Sequence, residues 1–255
     1  MKGGLKAIII PIVVLVGCVE QRLQPFSIGD TMIYIATVKK RPVPKGIYLI
    51  HLHENEQSAL EAGRHYLRKR GGMLLTLKHT SMRNIRFAAK GTNYEFDPNR
   101  IFSESGIKAS LANLSSDDPV AIKAIKMLAD TIISNMQNPI LVIALHNNTR
   151  GEPLNIDSYT VENSAFVYVN PVMGKDDFVL TTDKNIFLFL KERKINAVLQ
   201  QARNTQEDGS LSVYYSNKNV PYMNIETEQG NISEQKRILK EIEPLIRAFI
   251  TKKPR

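Results

Sequence analysis

Apolar and polar residues change their rhythm along this chain several times, and each change marks an element. Ile47 to His53 is nearly continuously apolar, as expected of a strand buried on both faces in a largely parallel sheet. From Glu54 the rhythm shifts. Ala59, Leu60, Ala62, Tyr66 and Leu67 fall at helical spacing with charged residues between them, and Gly71-Gly72 supplies a stop. Met32 to Val38, Met73 to Leu77, Ile140 to Leu145, Ala165 to Val169, Ala197 to Gln200 and Tyr222 to Glu226 read as further strands. Asp117-Asp118-Pro119 opens a helix running to about Met136, with acidic residues at its positive end and proline in its first turn. A helix is predicted from Asn185 to Arg193, and a long amphipathic one from Ser233 to about Thr251, which Pro244 interrupts and kinks. This alternation predicts an α/β fold: a single three-layer domain with a central mixed, largely parallel sheet and helices on both faces.

The 255 residues, 43% of them apolar, suffice for one such core, and no linker, low-complexity block or internal repeat divides them. Formal charge is +9, with basic residues gathered in Lys39-Lys40-Arg41, Arg64 to Arg70 and Lys252-Lys253-Pro254-Arg255. A positive surface attracts nucleic acid, anionic lipid or anionic cell-wall polymer. Aromatic residues do not interleave with the basic ones, so nucleic acid is not an expected partner. At the amino terminus Lys2 and Lys6 precede or flank an apolar run, Ala7 to Val16, too short to span a bilayer comfortably. It ends in Leu15-Val16-Gly17-Cys18, which resembles the bacterial lipobox, where the cysteine is acylated and the chain is cut just before it. The competing expectation is a buried strand with a buried thiol. Lipidation is favoured because the only cysteine stands at the one position the motif needs. The expected division is then a lipoprotein signal peptide (1–17), a tether (18–30) and a folded domain (31–255), facing the bacterial cell envelope from an acyl anchor.

Three short stretches carry the chemistry: His53-Glu54-Asn55-Glu56, Asn99-Arg100 and Leu145-His146. Two strand-end imidazoles and one carboxylate are enough to hold a zinc ion and leave a position free for water. His53 and Glu56, three apart at a strand-to-helix junction, can turn toward one point. His51 and Glu54 share that spacing, but His53 lies nearer the strand end. Ligands in such sheets bind beyond the carboxyl ends of the strands, where His53, His146 and Glu226 are all predicted to sit. His65, among Arg64, Arg68 and Arg70, reads as part of a solvated face, and His79 is left outside the site. Asn147-Asn148-Thr149 is placed to orient a ligand or line the pocket. There is no Gly-rich phosphate loop and no serine nucleophile elbow.

In order, the chain shows His53-x-x-Glu56, Asp97-Pro98-Asn99-Arg100, Leu145-His146 and Ile225-Glu226. The set resembles the zinc carboxypeptidases with their succinylglutamate desuccinylase and aspartoacylase relatives, over roughly Ile47 to Gly230. The resemblance implies Zn²⁺ held by His53, Glu56 and His146, with Glu226 as general base. Glu228, two residues on and facing the same side, is the alternative. It further implies Arg86 as the cation for the oxyanion, ahead of Arg83, and Asn99 with Arg100 gripping a terminal carboxylate. A substrate-binding tyrosine falls at Tyr215, beside Tyr214, closer to the glutamate than the family has it. The implied activity is cleavage of an amide or peptide bond next to a free carboxylate, on peptidoglycan or short peptides. An N-acyl amino acid deacylase is the neighbouring expectation, and a non-catalytic envelope-binding lipoprotein the one from another class. The compact gap from Glu56 to His146 favours the smaller bacterial members.

Overall fold

The computed structural model describes residues 12–16 (backbone only), 19–149, 154–159, 166–201 and 205–251. Its strands are β1 (Ile12–Val16), β2 (Val19–Ile28), β3 (Thr31–Lys40), β4 (Ile47–His51), β5 (Gly72–Lys78), β6 (Ile85–Ala89), β7 (Thr92–Phe96), β8 (Leu141–Asn148), β9 (Phe166–Tyr168), β10 (Phe178–Thr181), β11 (Ala197–Leu199) and β12 (Tyr222–Glu228). The helices are α1 (Gln57–Arg70), α2 (Glu104–Leu114), α3 (Pro119–Ser134), α4 (Lys184–Glu192), α5 (Leu211–Asn217), α6 (Ile232–Glu241) and α7 (Glu243–Thr251). Ten strands form one mixed sheet in the order β1-β2-β3-β5-β4-β8-β12-β10-β11-β9, and β6 pairs with β7 in a separate hairpin. At its centre β5, β4, β8 and β12 run parallel.

Period-two alternation along these central strands sorts their side chains onto two faces. Leu49, Leu141, Ile143, Leu145, Met223 and Ile225 pack with α1, α4, α6 and α7. Tyr48, Ile50, Val142, Ala144 and Tyr222 pack on the other face with α2, α3, α5 and the β6–β7 hairpin. The predicted three layers are therefore present. The alternation also dictates which face receives the chemistry: His146 follows Val142 and Ala144, and Glu226 follows Tyr222, so both project on the α2/α3 side.

Several sequence expectations change. The segment read as a tether is a ten-residue strand, β2, paired with β3 from Val19↔Lys40 to Ile28↔Thr31. Its polar residues and Pro25 hide the pattern, because a strand near a sheet edge is only partly covered on each face. The hairpin signal was Gly29-Asp30, a two-residue turn with Gly29 at φ +55°. Five residues of the expected signal peptide form β1, antiparallel to β2. The remainder of that peptide, and Cys18 with its proposed lipidation, lie outside the described residues. The kink expected at Pro244 divides α6 from α7. The helix predicted from Asp117 starts at Pro119, where the Asp118 carboxylate accepts the Val120 N–H.

Candidate metal centre

β4 stops at His51, and the chain then turns tightly, Glu56 N–H donating to the His53 carbonyl at 3.0 Å before α1 begins. Glu56 occupies the N-cap position of α1, yet its side chain caps nothing in the helix. Both carboxylate oxygens turn inward instead. One lies 2.9 Å from His53 Nδ1 and the other 3.0 Å from His146 Nδ1. The two Nδ1 atoms are 3.1 Å apart. His53, Glu56 and His146 are at most 2% exposed. The three residues expected as ligands thus converge and could hold a metal ion. His51 and Glu54 do other work. His51 Nε2 contacts the Glu56 carbonyl at 2.9 Å, and the Glu54 carboxylate accepts the His79 and Ser81 N–H groups at 2.7 Å each, shaping the following loop.

The donor set suits a tetrahedral cation. Ligands about 2.0–2.1 Å from zinc stand roughly 3.3 Å from one another, a few tenths of an ångström beyond the separations just given. His53 Nε2 is 2.7 Å from Asp97 Oδ1. That bond places the proton on Nε2 and leaves Nδ1 bare toward the cluster, the arrangement a metal-binding imidazole needs. Among the described residues, His146 Nε2 and Glu226 Oε2 are buried without a partner, so the centre has polar capacity its own side chains leave unmet. Removing the second partner tests this: Asp97→Asn is expected to weaken metal binding roughly 10–100-fold with the fold intact, measured by chelator competition.

Without metal the same residues form a compact ionic cluster. Burial opposes a charge on His53, but Glu56 and then Asp97 outweigh it and push its pKa up to about 9. Burial likewise raises Glu56 and Asp97, but their neighbours prevail: His53 and His146 hold Glu56, and His53 and Arg83 hold Asp97, well below the usual carboxylate range. The raised histidine stabilises the fold fully below its unfolded pKa of about 6.5, and that contribution is lost as pH climbs through about 9. The depressed carboxylates stabilise above their ordinary pKa and lose that contribution in acid. Thermal unfolding in chelator is therefore expected to peak between about pH 5 and pH 7 and to fall on both sides. A flat profile from pH 4 to pH 10 would contradict the cluster.

The cluster opens onto a cavity of about 730 Å³. Its floor is the sheet face identified above, with Leu180, Tyr222, Asn224 and Glu226. Glu226 stands opposite His146 in the β8–β12 register. Asn224 Nδ2 donates to its Oε1 at 2.9 Å, and burial raises its pKa. Of the two glutamates, Glu226 lines the cavity and Glu228 does not. Arg86 is corrected. On β6 it is exposed, pairs with Glu95 at 2.7 Å and faces away from the cavity, because it sits at an outward position of the hairpin. Arg83, three residues earlier in the loop, reaches Glu56 through Nη1 and lines the cavity. Tyr215 is also corrected. It is 1% exposed in the core of α5, stacked near Tyr222, with its hydroxyl beside Met136 Sδ.

Asn99 and Arg100 line the cavity as expected, but Arg100 Nη1 is bonded to Asp208. The segment bearing Asp208 is seated directly on the Arg100 turn. Gly209 O accepts the Phe102 N–H at 2.9 Å, and a Cβ on Gly106 would stand 2.3 Å from Gly209 Cα. Gly209 has φ +75°, and a Cβ there would stand 2.4 Å from the Arg100 carbonyl oxygen. Asn147 braces the centre from behind. Its N–H donates to Glu56 at 3.0 Å, and its side-chain oxygen accepts the Ala59 N–H at 2.8 Å, tying α1 to β8.

No family model matches the chain, and no curated protein matches it. Solved structures do. It is similar to an aspartoacylase family protein from Mesorhizobium loti, with 15% identity and a TM-score of 0.45 over 91% of this chain and 69% of that one. It is similar to a succinylglutamate desuccinylase from a Silicibacter species, with 12% identity and a TM-score of 0.46 over 97% and 71%. A third is the product-bound ectoine utilization protein of Ruegeria pomeroyi, with 12% identity and a TM-score of 0.49 over 95% and 71%.

Three residues of the site have no role in the sequence reading, and a fourth stands there only as an alternative. Asp97 was quoted within a motif without a role, although an Asp before a Pro-Asn turn beside a candidate ligand pair was a signal. Arg83 was ranked behind Arg86. Asp208 had no signal, because its partner is more than a hundred positions away. Tyr159, which lines the cavity, follows a stretch without periodicity; burial, then the charge of Glu226, pushes it up to about 12.

Proposed function

We propose that this chain is a zinc-dependent hydrolase that cleaves an amide or peptide bond next to a free carboxylate, in the manner of a carboxypeptidase. The observation that carries it is the convergence of His53, Glu56 and His146 at a cavity whose wall holds a buried glutamate and an arginine. Zinc held by those three ligands would supply Lewis acidity toward a carbonyl oxygen and lower the pKa of water toward neutrality. Glu226, raised by burial toward the working range of a general base, takes the proton from water and returns it to the leaving amine. Arg83 is the cation beside the reacting carbonyl, in the role first given to Arg86. Asn99 and Arg100 receive the substrate carboxylate. Because Asp208 competes for that guanidinium, Asp208→Asn is expected to lower KM for carboxylate-ended substrates several-fold with kcat little changed, read from steady-state kinetics.

The envelope setting belongs to the same proposal. Acylation at Cys18 would anchor the protein without a transmembrane helix, and peptidoglycan stem peptides or short peptides would be its substrates. No helix among the described residues is long and apolar enough to cross a membrane. Processing before Cys18 would remove β1 and leave β2 as the sheet edge. The decisive experiment measures zinc per chain in the purified protein and products from muropeptides, short peptides and N-acyl amino acids. Stoichiometric zinc with release of a carboxyl-terminal residue supports the proposal. Turnover of N-acyl amino acids alone would make it a deacylase, and absence of bound metal would leave a non-catalytic binding protein.

A further inference from the structure

Two separate segments bring their basic residues to one end of the molecule, and the start of a third lies beside them. β3 ends in Lys39-Lys40 and is followed by Arg41, and α1 ends in Arg68-Lys69-Arg70. They are in contact: Lys40 Nζ donates to the Arg68 carbonyl, and Gly71 packs against the carbonyls of Lys40 and Pro42. The third segment is the start of β2, where Val19 pairs with Lys40 and Glu20 with Lys39. Arg41, Arg68, Lys69 and Arg70 are exposed. Arg68 pairs with Glu61 and Arg70 with Glu243, so six cations face three carboxylates and the end keeps a positive excess. The nearby His65 registers the field. Its pKa is lowered by its slight burial and then by Lys236, Arg68 and Lys69.

The position of this basic end within the fold is as informative as its charge. It lies at the entry side of the parallel strands, where β5 begins at Gly72 opposite Lys40. The metal centre lies at the exit side. α1 spans the gap, with Glu56 at its start and Arg70 at its end, so its fourteen residues separate the two by about 21 Å. Val19, the residue that follows Cys18 in the sequence, is therefore at the basic end and not at the catalytic one.

We propose that this basic end is a docking surface for an anionic lipid bilayer, holding the cavity mouth away from the membrane. A lipid anchor and a polybasic patch engage the same bilayer surface, so the patch and the anchoring residue belong on one side. Here they share it. Each basic residue near an anionic leaflet multiplies partitioning by about fivefold, and salt reduces the effect.

The test uses the unacylated full-length chain, so its outcome depends on neither the anchor nor the metal. Sedimentation with phosphatidylcholine vesicles, with and without phosphatidylglycerol, is expected to show binding only to the anionic ones, weakening as salt rises. Combining Lys39→Glu, Arg41→Glu and Lys69→Glu is expected to cut that binding at least tenfold, given about fivefold per cation. Combining Lys108→Glu, Lys123→Glu and Lys126→Glu, on α2 and α3, makes the same charge change elsewhere and is expected to cost far less. Circular dichroism verifies that both variants fold. Equal losses in the two variants, undiminished binding in the first, or no preference for anionic vesicles would overturn the proposal, as would tight binding to DNA with none to vesicles.

Discussion

Replacing either His53 or His146 with alanine is expected to remove stoichiometric metal from the purified protein and to bring hydrolysis to background. The centre offers one carboxylate and two imidazoles, all at most 2% exposed, so losing either imidazole removes one of three converging donors. Loss of an outer partner typically costs 10–100-fold in affinity, and loss of a direct ligand is expected to exceed roughly the upper end of that range. The two variants should differ in stability. His53→Ala strips Asp97 and Glu56 of a shared partner, leaving Asp97 to Arg83 and Glu56 to Arg83 and His146, whereas His146→Ala leaves the His53–Asp97 pair whole. Breaking a buried pair from one side costs about 3–5 kcal/mol, so His53→Ala should melt at the lower temperature in chelator. Metal analysis, chelator competition and thermal unfolding together read the result. Wild-type protein without stoichiometric metal would remove the basis of the hydrolase proposal.

Glu226→Gln should do the opposite: keep the metal and lose the turnover. The amide has the shape of the carboxylate but cannot accept a proton, and general-base catalysis of this kind is worth roughly 10²–10⁴-fold in rate. Asn224 can still bond the side-chain oxygen. Because burial disfavours the charged carboxylate, the variant is also expected to be at least as stable as the parent. A fall in kcat with unchanged zinc content and unchanged or raised melting temperature is the predicted combination. Full activity in Glu226→Gln would move the base to another residue, with Glu228→Gln the next variant to assay.

The strands that hold the centre were legible because burial on both faces leaves long apolar runs: the reading of strands at Ile47 to His53 and Ile140 to Leu145 meets β4, which ends two residues sooner, and β8, which runs three residues further. His53, Glu56 and His146 were legible for the same reason, since a polar residue at the end of such a run has few uses. Elements that are partly covered, off the main sheet or very short were harder to see. β2 carries Pro25 and several polar residues, the β6–β7 hairpin lies off the main sheet, and four-residue β10 is too short for a period to show. Arg86 and Tyr215 failed by a different route. Spacing along a chain does not say which way a side chain on a hairpin or a short helix points. At Arg86 the outward position of β6 decided it, and at Tyr215 the inward face of α5 did.

Gly106 and Gly209 touch backbone to backbone, with no side chain between α2 and the segment carrying Asp208. A joint without side chains cannot be levered open by swapping rotamers. The Asp208 segment and the Asn99–Arg100 turn are therefore seated on each other through main chain alone, and a methyl group at either glycine would have to wedge them apart.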